Sequence, residues 1–121
     1  MKLDHVALSV HDVEVAITHF ATLGFALLFR GKHYSNDMPT AFINHPGTNM
    51  NLELVQVSGQ PAPGLLHTAF VVDDIHAKCA ELLGAGFEYE TPPFFNERNQ
   101  THMAFLRHPA GFIAQINQPA K

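Results

Sequence analysis

The stretch LDHVALSVHDV (residues 3–13) decides the fold, because its pattern returns as LLHTAFVVDDI at residues 65–75. The two stretches align with a shift of 62 residues, which places His5 on His67. Later segments continue the match with the same shift, apart from one extra loop residue in the second copy. Self-similarity at a fixed spacing indicates a repeated structural unit. The chain therefore consists of two copies of one module of about sixty residues.

The length and the repeat together predict the domain organisation. A chain of 121 residues is too short for two independent domains, so we expect a single domain over 1–121. Its first module spans 1–57 and its second module spans 65–121. The segment SGQPAPG (58–64) is rich in turn-forming residues and is predicted to link them.

Each module contains the pattern of a strand, a helix and three further strands. Alternation of apolar residues in LDHVALSV predicts the first strand. Asp12 and Asp74 are predicted helix N-caps, each followed by apolar residues at helical spacing, and Gly24 is predicted to end the first helix. His-Pro turns join the last two strands of each copy into hairpins. The prediction is an α+β fold of two tandem βαβββ modules that share one core.

Composition excludes several classes of function. The chain is 46% hydrophobic and 15% charged, as expected of a globular protein. A net charge of −4 argues against a nucleic-acid partner. No segment has the length of a signal core or a membrane span, so we expect a cytoplasmic location and no membrane partner. The single cysteine, Cys79, excludes an internal disulfide and is interpreted as a buried small hydrophobe.

Histidine is the unusual residue of this composition, with nine copies against seven Lys plus Arg. Two of them, His5 and His67, stand in apolar strands, and Glu53 and Gln115 interrupt two other apolar strands at repeat-equivalent positions. Burying a carboxylate without a partner is costly. One divalent cation, bound by two imidazoles and two oxygens, would satisfy all four side chains. The alternative is a pocket without metal, in which the histidines are hydrogen-bonded.

A resemblance to the vicinal oxygen chelate superfamily is carried by the motifs LDHVALSV, NLELVQ, LLHTAFVV and RHPAGFIAQINQ. This superfamily includes glyoxalase I, extradiol dioxygenases, fosfomycin-resistance enzymes and bleomycin-binding proteins. The resemblance implies a curved mixed sheet around a central cup, and a homodimer. In glyoxalase I the metal ligands lie on the first and last strand of each module, which implies the ligands His5, Glu53, His67 and Gln115. The implied cofactor is a divalent metal ion: Zn, Ni, Co, Mn or Fe.

The resemblance also implies the chemistry, with one departure. A glyoxalase-like lyase or isomerase acts on a small molecule with vicinal oxygens, and its metal stabilises an enolate or oxyanion. Relatives usually have glutamate where this chain has Gln115, and an amide oxygen can bind a metal but cannot accept a proton at neutral pH. Glu53 is therefore the implied catalytic base as well as a ligand.

Two other functions stay open at this point. His5, His67 and Glu53 form a set of two histidines and one carboxylate, which suits an iron-dependent extradiol-type dioxygenase. The second open function is that of a non-catalytic module that binds a drug-like molecule, as bleomycin-resistance relatives do. The sequence also leaves open whether the two histidines meet within one chain or across two.

Two segments are predicted to line the substrate pocket. RGKHYSNDMP (30–39) is a polar loop, and PPFFNERNQTH (92–102) combines aromatic and polar side chains, as ligand pockets often do. The predicted substrate-binding residues are Arg30, Phe94, Asn96, Arg98 and His102. A solvated loop and ordinary packing are the alternative interpretations of these segments.

Overall fold

The structure, a computed structural model, describes residues 1–58 and 64–120. Its elements are β1 (Lys2–Val10), α1 (Val13–Ala21), β2 (Ala26–Lys32), β3 (Pro39–His45), β4 (Met50–Gln56), β5 (Gly64–Val71), α2 (Ile75–Gly84), β6 (Glu88–Asn96), β7 (Thr101–Arg107) and β8 (Ile113–Pro119). The α+β class and the two βαβββ sets are confirmed. Residues 59–63 of the predicted linker lie outside the described residues.

The chain divides into two compact units. The first unit comprises His5–Leu66, and the second unit comprises Met1–Asp4 with His67–Lys121. The predicted single domain, and its module boundaries at 1–57 and 65–121, stay predictions.

Both units have the same strand order. In the first unit it is β2-β3-β4-β1, and in the second it is β6-β7-β8-β5. The last strand of each set pairs in parallel with the first, and the other pairs are antiparallel. The parallel registers are equivalent, since Ala7 lies opposite Glu53 and Ala69 lies opposite Gln115. The two copies seen in the sequence therefore also have equivalent strand pairing.

Aspartate side chains begin both helices, as predicted. The Asp12 Oδ1 accepts hydrogen bonds from the backbone N–H groups of Glu14 at 2.9 Å and Val15 at 3.1 Å. The Asp74 Oδ1 accepts one from Ala77 at 3.0 Å. Each bond satisfies a donor that has no partner within the helix. Neither helix, among the described residues, is long and apolar enough to cross a membrane.

A second contact ties each helix to the sheet and was not predicted. The backbone N–H of Val13 donates to the Gln56 Oε1 at 3.0 Å, and that of Ile75 donates to the Gln118 Oε1 at 2.8 Å. Both glutamines lie at the end of the last strand of their unit. The last strand is thus fixed to its helix as well as to its neighbouring strands.

Among the described residues the apolar side chains form two clusters, one in each unit, and the core shared by the two modules stays a prediction. In the first unit the buried members are Val13, Ala41, Ile43, Leu52 and Leu54. In the second unit they are Val72, Ile75, Cys79, Ala104, Leu106, Ala114 and Ile116. Each helix packs on one face of its own strands, so the apolar side chains of that face are buried within the unit.

The turn after α1 requires a glycine. Gly24 has a φ of +97°, a region that residues with a Cβ rarely adopt. A Cβ built there would lie 2.8 Å from the Nε2 of His45. That ring cannot easily move, because it packs edge-on against Phe25 with a centroid distance of 5.0 Å.

We expect Gly24→Ala to lower the free energy of unfolding by about 1–2 kcal/mol, which is the cost of a left-handed conformation for a residue with a Cβ. Gly84→Ala is the matched control, since Gly84 ends α2 and a Cβ there would meet no atom within 4 Å. That control is expected to be neutral or to stabilise by up to about 1 kcal/mol. Urea unfolding followed by circular dichroism measures both, and equal effects would contradict the strain at Gly24.

Candidate metal centre

Strand β1 presents His5 on the face of the sheet that is turned away from α1. His5, Ala7 and Ser9 are buried. The alternate residues Val6 and Leu8 pack against the apolar cluster under the helix. Because side chains alternate along a strand, the helix side is filled by aliphatic residues and the imidazole is directed to the other side, as predicted.

Glu53 lies beside His5 in the first unit. The His5 Nε2 is 3.3 Å from the Glu53 Oε1, with side-chain exposures of 5% and 17%. On β3, Phe42 lies opposite Glu53 in register, and its ring meets the edge of the His5 ring at a centroid distance of 5.0 Å. The His5 Nε2 and the Glu53 carboxylate oxygen therefore lie side by side, next to the Phe42 ring.

His67 and Gln115 occupy the equivalent positions in the second unit. Both are buried. Gln115 lies opposite Ala69, two residues after His67, and on its other side it lies opposite Phe105. The Phe105 ring meets the His67 ring edge-on at 5.7 Å, as Phe42 meets His5. The second unit thus offers the same kind of nitrogen donor and places an amide where the first unit has a carboxylate.

A further polar residue, Asn117, belongs to this arrangement and was missed in the sequence. The Gln115 Nε2 donates to the Asn117 Oδ1 at 3.0 Å, and both side chains are buried. The position equivalent to Asn117 in the first unit is Val55, 62 residues earlier. This difference between the copies was the available signal, but the hydrogen bond between the two side chains could not be obtained from it.

A sequence profile of the Glyoxalase/Bleomycin resistance protein/Dioxygenase superfamily matches residues 4–105. The chain belongs to this superfamily. The matched region contains His5, Glu53 and His67, and Gln115 follows it. The predicted superfamily is confirmed, and with it the α+β fold.

Individual proteins also align over nearly the whole chain. A probable lactoylglutathione lyase of Vibrio cholerae serotype O1 is 25% identical over 124 residues, with 97% of this chain and 90% of that protein aligned. Methylmalonyl-CoA epimerase from Mycobacterium tuberculosis superposes with a TM-score of 0.77 at 25% identity, covering 99% of this chain and 89% of that one. A Streptomyces coelicolor methylmalonyl-CoA epimerase in complex with 2-nitronate-propionyl-CoA gives a TM-score of 0.77 at 19% identity, covering 100% and 99%, and shows the fold alone.

Two of the predicted substrate-binding residues lie on the same sheet face as Gln115. Phe94 lies opposite Met103, which in turn lies opposite Asn117, and the Phe94 ring stacks on Phe105 at 6.5 Å. Asn96 lies two residues further along β6 and donates to the Met103 Sδ at 3.4 Å. Substrate binding by Phe94 and Asn96 stays a prediction.

Arg30 lies on the opposite face of the first unit from Glu53. It lies opposite Ala41, a member of the cluster under α1, whereas Glu53 lies opposite the next residue, Phe42. Its guanidinium forms two 2.8 Å hydrogen bonds to the Glu14 carboxylate of α1. A substrate role for Arg30 stays a prediction, and the structure gives its charge a different partner.

His102 and Arg98 are also placed away from Gln115. His102 lies opposite Gln118, whose side chain caps α2, so the imidazole is on the helix side of the second unit. It packs there against Phe95 at 4.8 Å. Arg98 is exposed in the turn between β6 and β7, where its backbone N–H donates to the Asn96 Oδ1 at 3.0 Å. Substrate binding by either residue stays a prediction.

Cys79 is buried in the cluster under α2. Burial raises the pKa of its thiol, and a hydrogen bond with Tyr89 only partly opposes this rise. The neutral thiol is therefore the stable form, which agrees with its interpretation as a small hydrophobe.

The Arg30–Glu14 pair gives a test of where Arg30 points. The hydrogen bond from Arg30, followed by its charge, lowers the pKa of Glu14. We expect Arg30→Gln to raise the pKa of Glu14 towards its usual value, as measured by NMR titration of the carboxyl carbon. A lowered carboxyl pKa adds stability above the unfolded-state pKa, and this is lost as the pH falls through the folded-state pKa. Arg30→Gln should therefore lack the stability that the lowered pKa of Glu14 contributes.

Lys32→Gln is the matched control for this titration, because it removes a positive charge from the same strand without touching the ion pair. The pKa of Glu14 should change little in that variant. An unchanged Glu14 titration in Arg30→Gln would show that the guanidinium is not held at α1.

Proposed function

We propose that this protein is a metal-dependent isomerase or lyase of the glyoxalase type, acting on a small molecule with vicinal oxygens. His5, Glu53, His67 and Gln115 would hold one divalent cation, and Glu53 would act as the catalytic base. The observation that carries the proposal is the pairing of an imidazole with an oxygen donor, at the same strand register, in both units.

The donor set fits a divalent transition metal. Two imidazole nitrogens and two oxygens suit Zn, Ni, Co, Mn or Fe, and one unit alone supplies only two of these donors. We propose that His5, Glu53 and His67 supply three of these donors. We propose that Gln115 completes this group as a fourth ligand within the same chain. The homodimer and the cytoplasmic location stay predictions.

The charge of the donor set supports chemistry on an anionic species. Two neutral imidazoles, one carboxylate and one amide carry a single negative charge, so a bound divalent ion would leave one positive charge uncompensated. When bound, the cation would supply Lewis-acid polarisation of the substrate oxygens, which offsets the negative charge that develops on them. Phe42 and Phe105, which pack against the two histidines, would reduce the water that screens this charge.

Of the two oxygen donors, Glu53 is the one that can accept a proton at neutral pH, because Gln115 is an amide. Its carboxylate would remove a proton from the carbon next to a carbonyl of the substrate. Returning the proton to the neighbouring carbon completes an isomerisation, and returning it to the other side of the same carbon completes an epimerisation. The names of the aligned relatives, lactoylglutathione lyase and methylmalonyl-CoA epimerase, both concern thioesters with such a proton.

Metal binding is the first test. Protein stripped with EDTA and titrated calorimetrically with Zn²⁺, Ni²⁺, Co²⁺ or Mn²⁺ should bind an equimolar amount of ion. His67→Ala should weaken that affinity at least about tenfold, since losing even a residue that supports a ligand costs this much. His76→Ala, which removes an exposed histidine on α2, is the control and should bind like the wild type. Equal binding by the His67 and His76 variants would contradict the ligand set.

Proton exchange is the second test. Metal-loaded protein in D₂O should catalyse deuterium incorporation next to the carbonyl of lactoylglutathione or of methylmalonyl-CoA, followed by ¹H NMR. Glu53→Gln should lose at least about a hundredfold in exchange rate, the usual contribution of a general base.

Other outcomes would favour the alternative functions. Oxygen consumption with catechols under ferrous iron would favour the dioxygenase. A thermal shift by a drug-like ligand that survives EDTA, without any turnover, would favour the binding module.

A further inference from the structure

We propose that Asn117 is a positioning residue that fixes the side-chain amide of Gln115, so that its carbonyl oxygen rather than its NH₂ group is presented to the cation. This inference rests on the proposed function, because it concerns the fourth ligand of the same site. It assigns a role to a residue outside the predicted ligand set.

The geometry consists of one buried hydrogen bond along β8. The Gln115 Nε2 donates to the Asn117 Oδ1 at 3.0 Å. Gln115 is 6% exposed and Asn117 is 9% exposed, so water has little access to either amide. The two residues are separated by Ile116, whose side chain belongs to the apolar cluster under α2. They therefore share the sheet face that is turned away from the helix.

An amide needs such a partner because its two ends differ. The oxygen can bind a cation, whereas the NH₂ group is a donor and would repel it. Rotation by 180° exchanges the two ends at almost no change in shape. A neighbouring acceptor on the strand removes this ambiguity, because it holds the NH₂ group on its own side and leaves the oxygen on the other. It also satisfies a donor that would cost about 1–3 kcal/mol if buried without a partner.

The first unit provides the internal comparison. Glu53 has no N–H to satisfy, since a carboxylate only accepts hydrogen bonds. The residue two positions after it, equivalent to Asn117, is the apolar Val55. The acceptor Asn117 thus stands two residues after the amide Gln115, and the apolar Val55 stands two residues after the carboxylate Glu53. This is the pattern expected if the role of Asn117 is to orient an amide ligand.

Calorimetric titration of Zn²⁺ into metal-free protein tests the proposal with three variants. Asn117→Val should bind Zn²⁺ about 10- to 100-fold more weakly, the usual effect of losing a residue that supports a ligand. Asn117→Asp keeps an acceptor and should bind at least as tightly as the wild type. The double variant Q115E/N117V reproduces the Glu53–Val55 pair and should recover wild-type affinity, because a carboxylate needs no acceptor.

A second measurement does not depend on metal or on the folding of a variant. In metal-free wild-type protein the side-chain NH₂ of Gln115 should exchange slowly with solvent in ¹⁵N-edited NMR spectra. The exposed Asn36, whose Oδ1 accepts a hydrogen bond from the Met38 backbone N–H, is the reference, and its side-chain NH₂ should exchange fast. An unprotected Gln115 NH₂ would overturn the proposal whatever the variants do.

The outcomes separate this inference from the proposed function. Tight Zn²⁺ binding by both the wild type and Asn117→Val would overturn the positioning role and leave the metal site standing. Weak binding by the double variant, with Asn117→Val also weak and both folded, would show that the loss does not come from amide orientation. No binding by the wild type would overturn both proposals together.

Discussion

The parallel pairing of the first and last strand in each unit is the constraint on which the rest of the structure depends. It sets Ala7 opposite Glu53 and Ala69 opposite Gln115, and so places an oxygen donor next to each imidazole-bearing strand. A slip of one residue would turn the donor to the helix side, because the side-chain period of a strand is two. Gln56 opposes such a slip in the first unit, since its side chain ties the end of β4 to the start of α1.

Duplication of this unit explains why the candidate site is symmetric in ligand type but not in chemistry. Each helix buries one face of its own strands, and the candidate ligands of both copies lie on the other face, beside Phe42 and Phe105. The two histidines are the same in both copies, whereas the oxygen donors differ as Glu53 and Gln115. Of these two oxygen donors, only the Glu53 carboxylate can accept a proton near neutral pH. Proton transfer would therefore take place at one side of a nearly symmetric ligand set.

The sequence was sufficient for the module order and the four candidate ligands, because both depend on periodicity. Polar residues that interrupt apolar strands at repeat-equivalent positions stand out without any coordinates. The direction of Arg30 could not be obtained in this way. The β2–β3 register shifts between Leu27 and Phe29, so simple alternation fails within that strand. Similar shifts between Tyr89 and Phe94 break the alternation in β6. Side-chain direction could be predicted only where the ladder is regular.

The Gln115–Asn117 hydrogen bond shows that an amide at the proposed ligand position makes demands on its surroundings that a carboxylate does not. An amide beside valine would leave a buried N–H unpaired, at a cost of about 1–3 kcal/mol, and would be free to present its wrong end. A carboxylate beside asparagine carries no such penalty, because the Asn117 amide can rotate and donate to it. The two residues are therefore coupled in one direction only. Glutamine at 115 needs the acceptor at 117, whereas asparagine at 117 tolerates either glutamine or glutamate at 115. Two single substitutions can therefore change a glutamine–asparagine pair into a glutamate–valine pair at low cost in stability, if glutamate at 115 comes first.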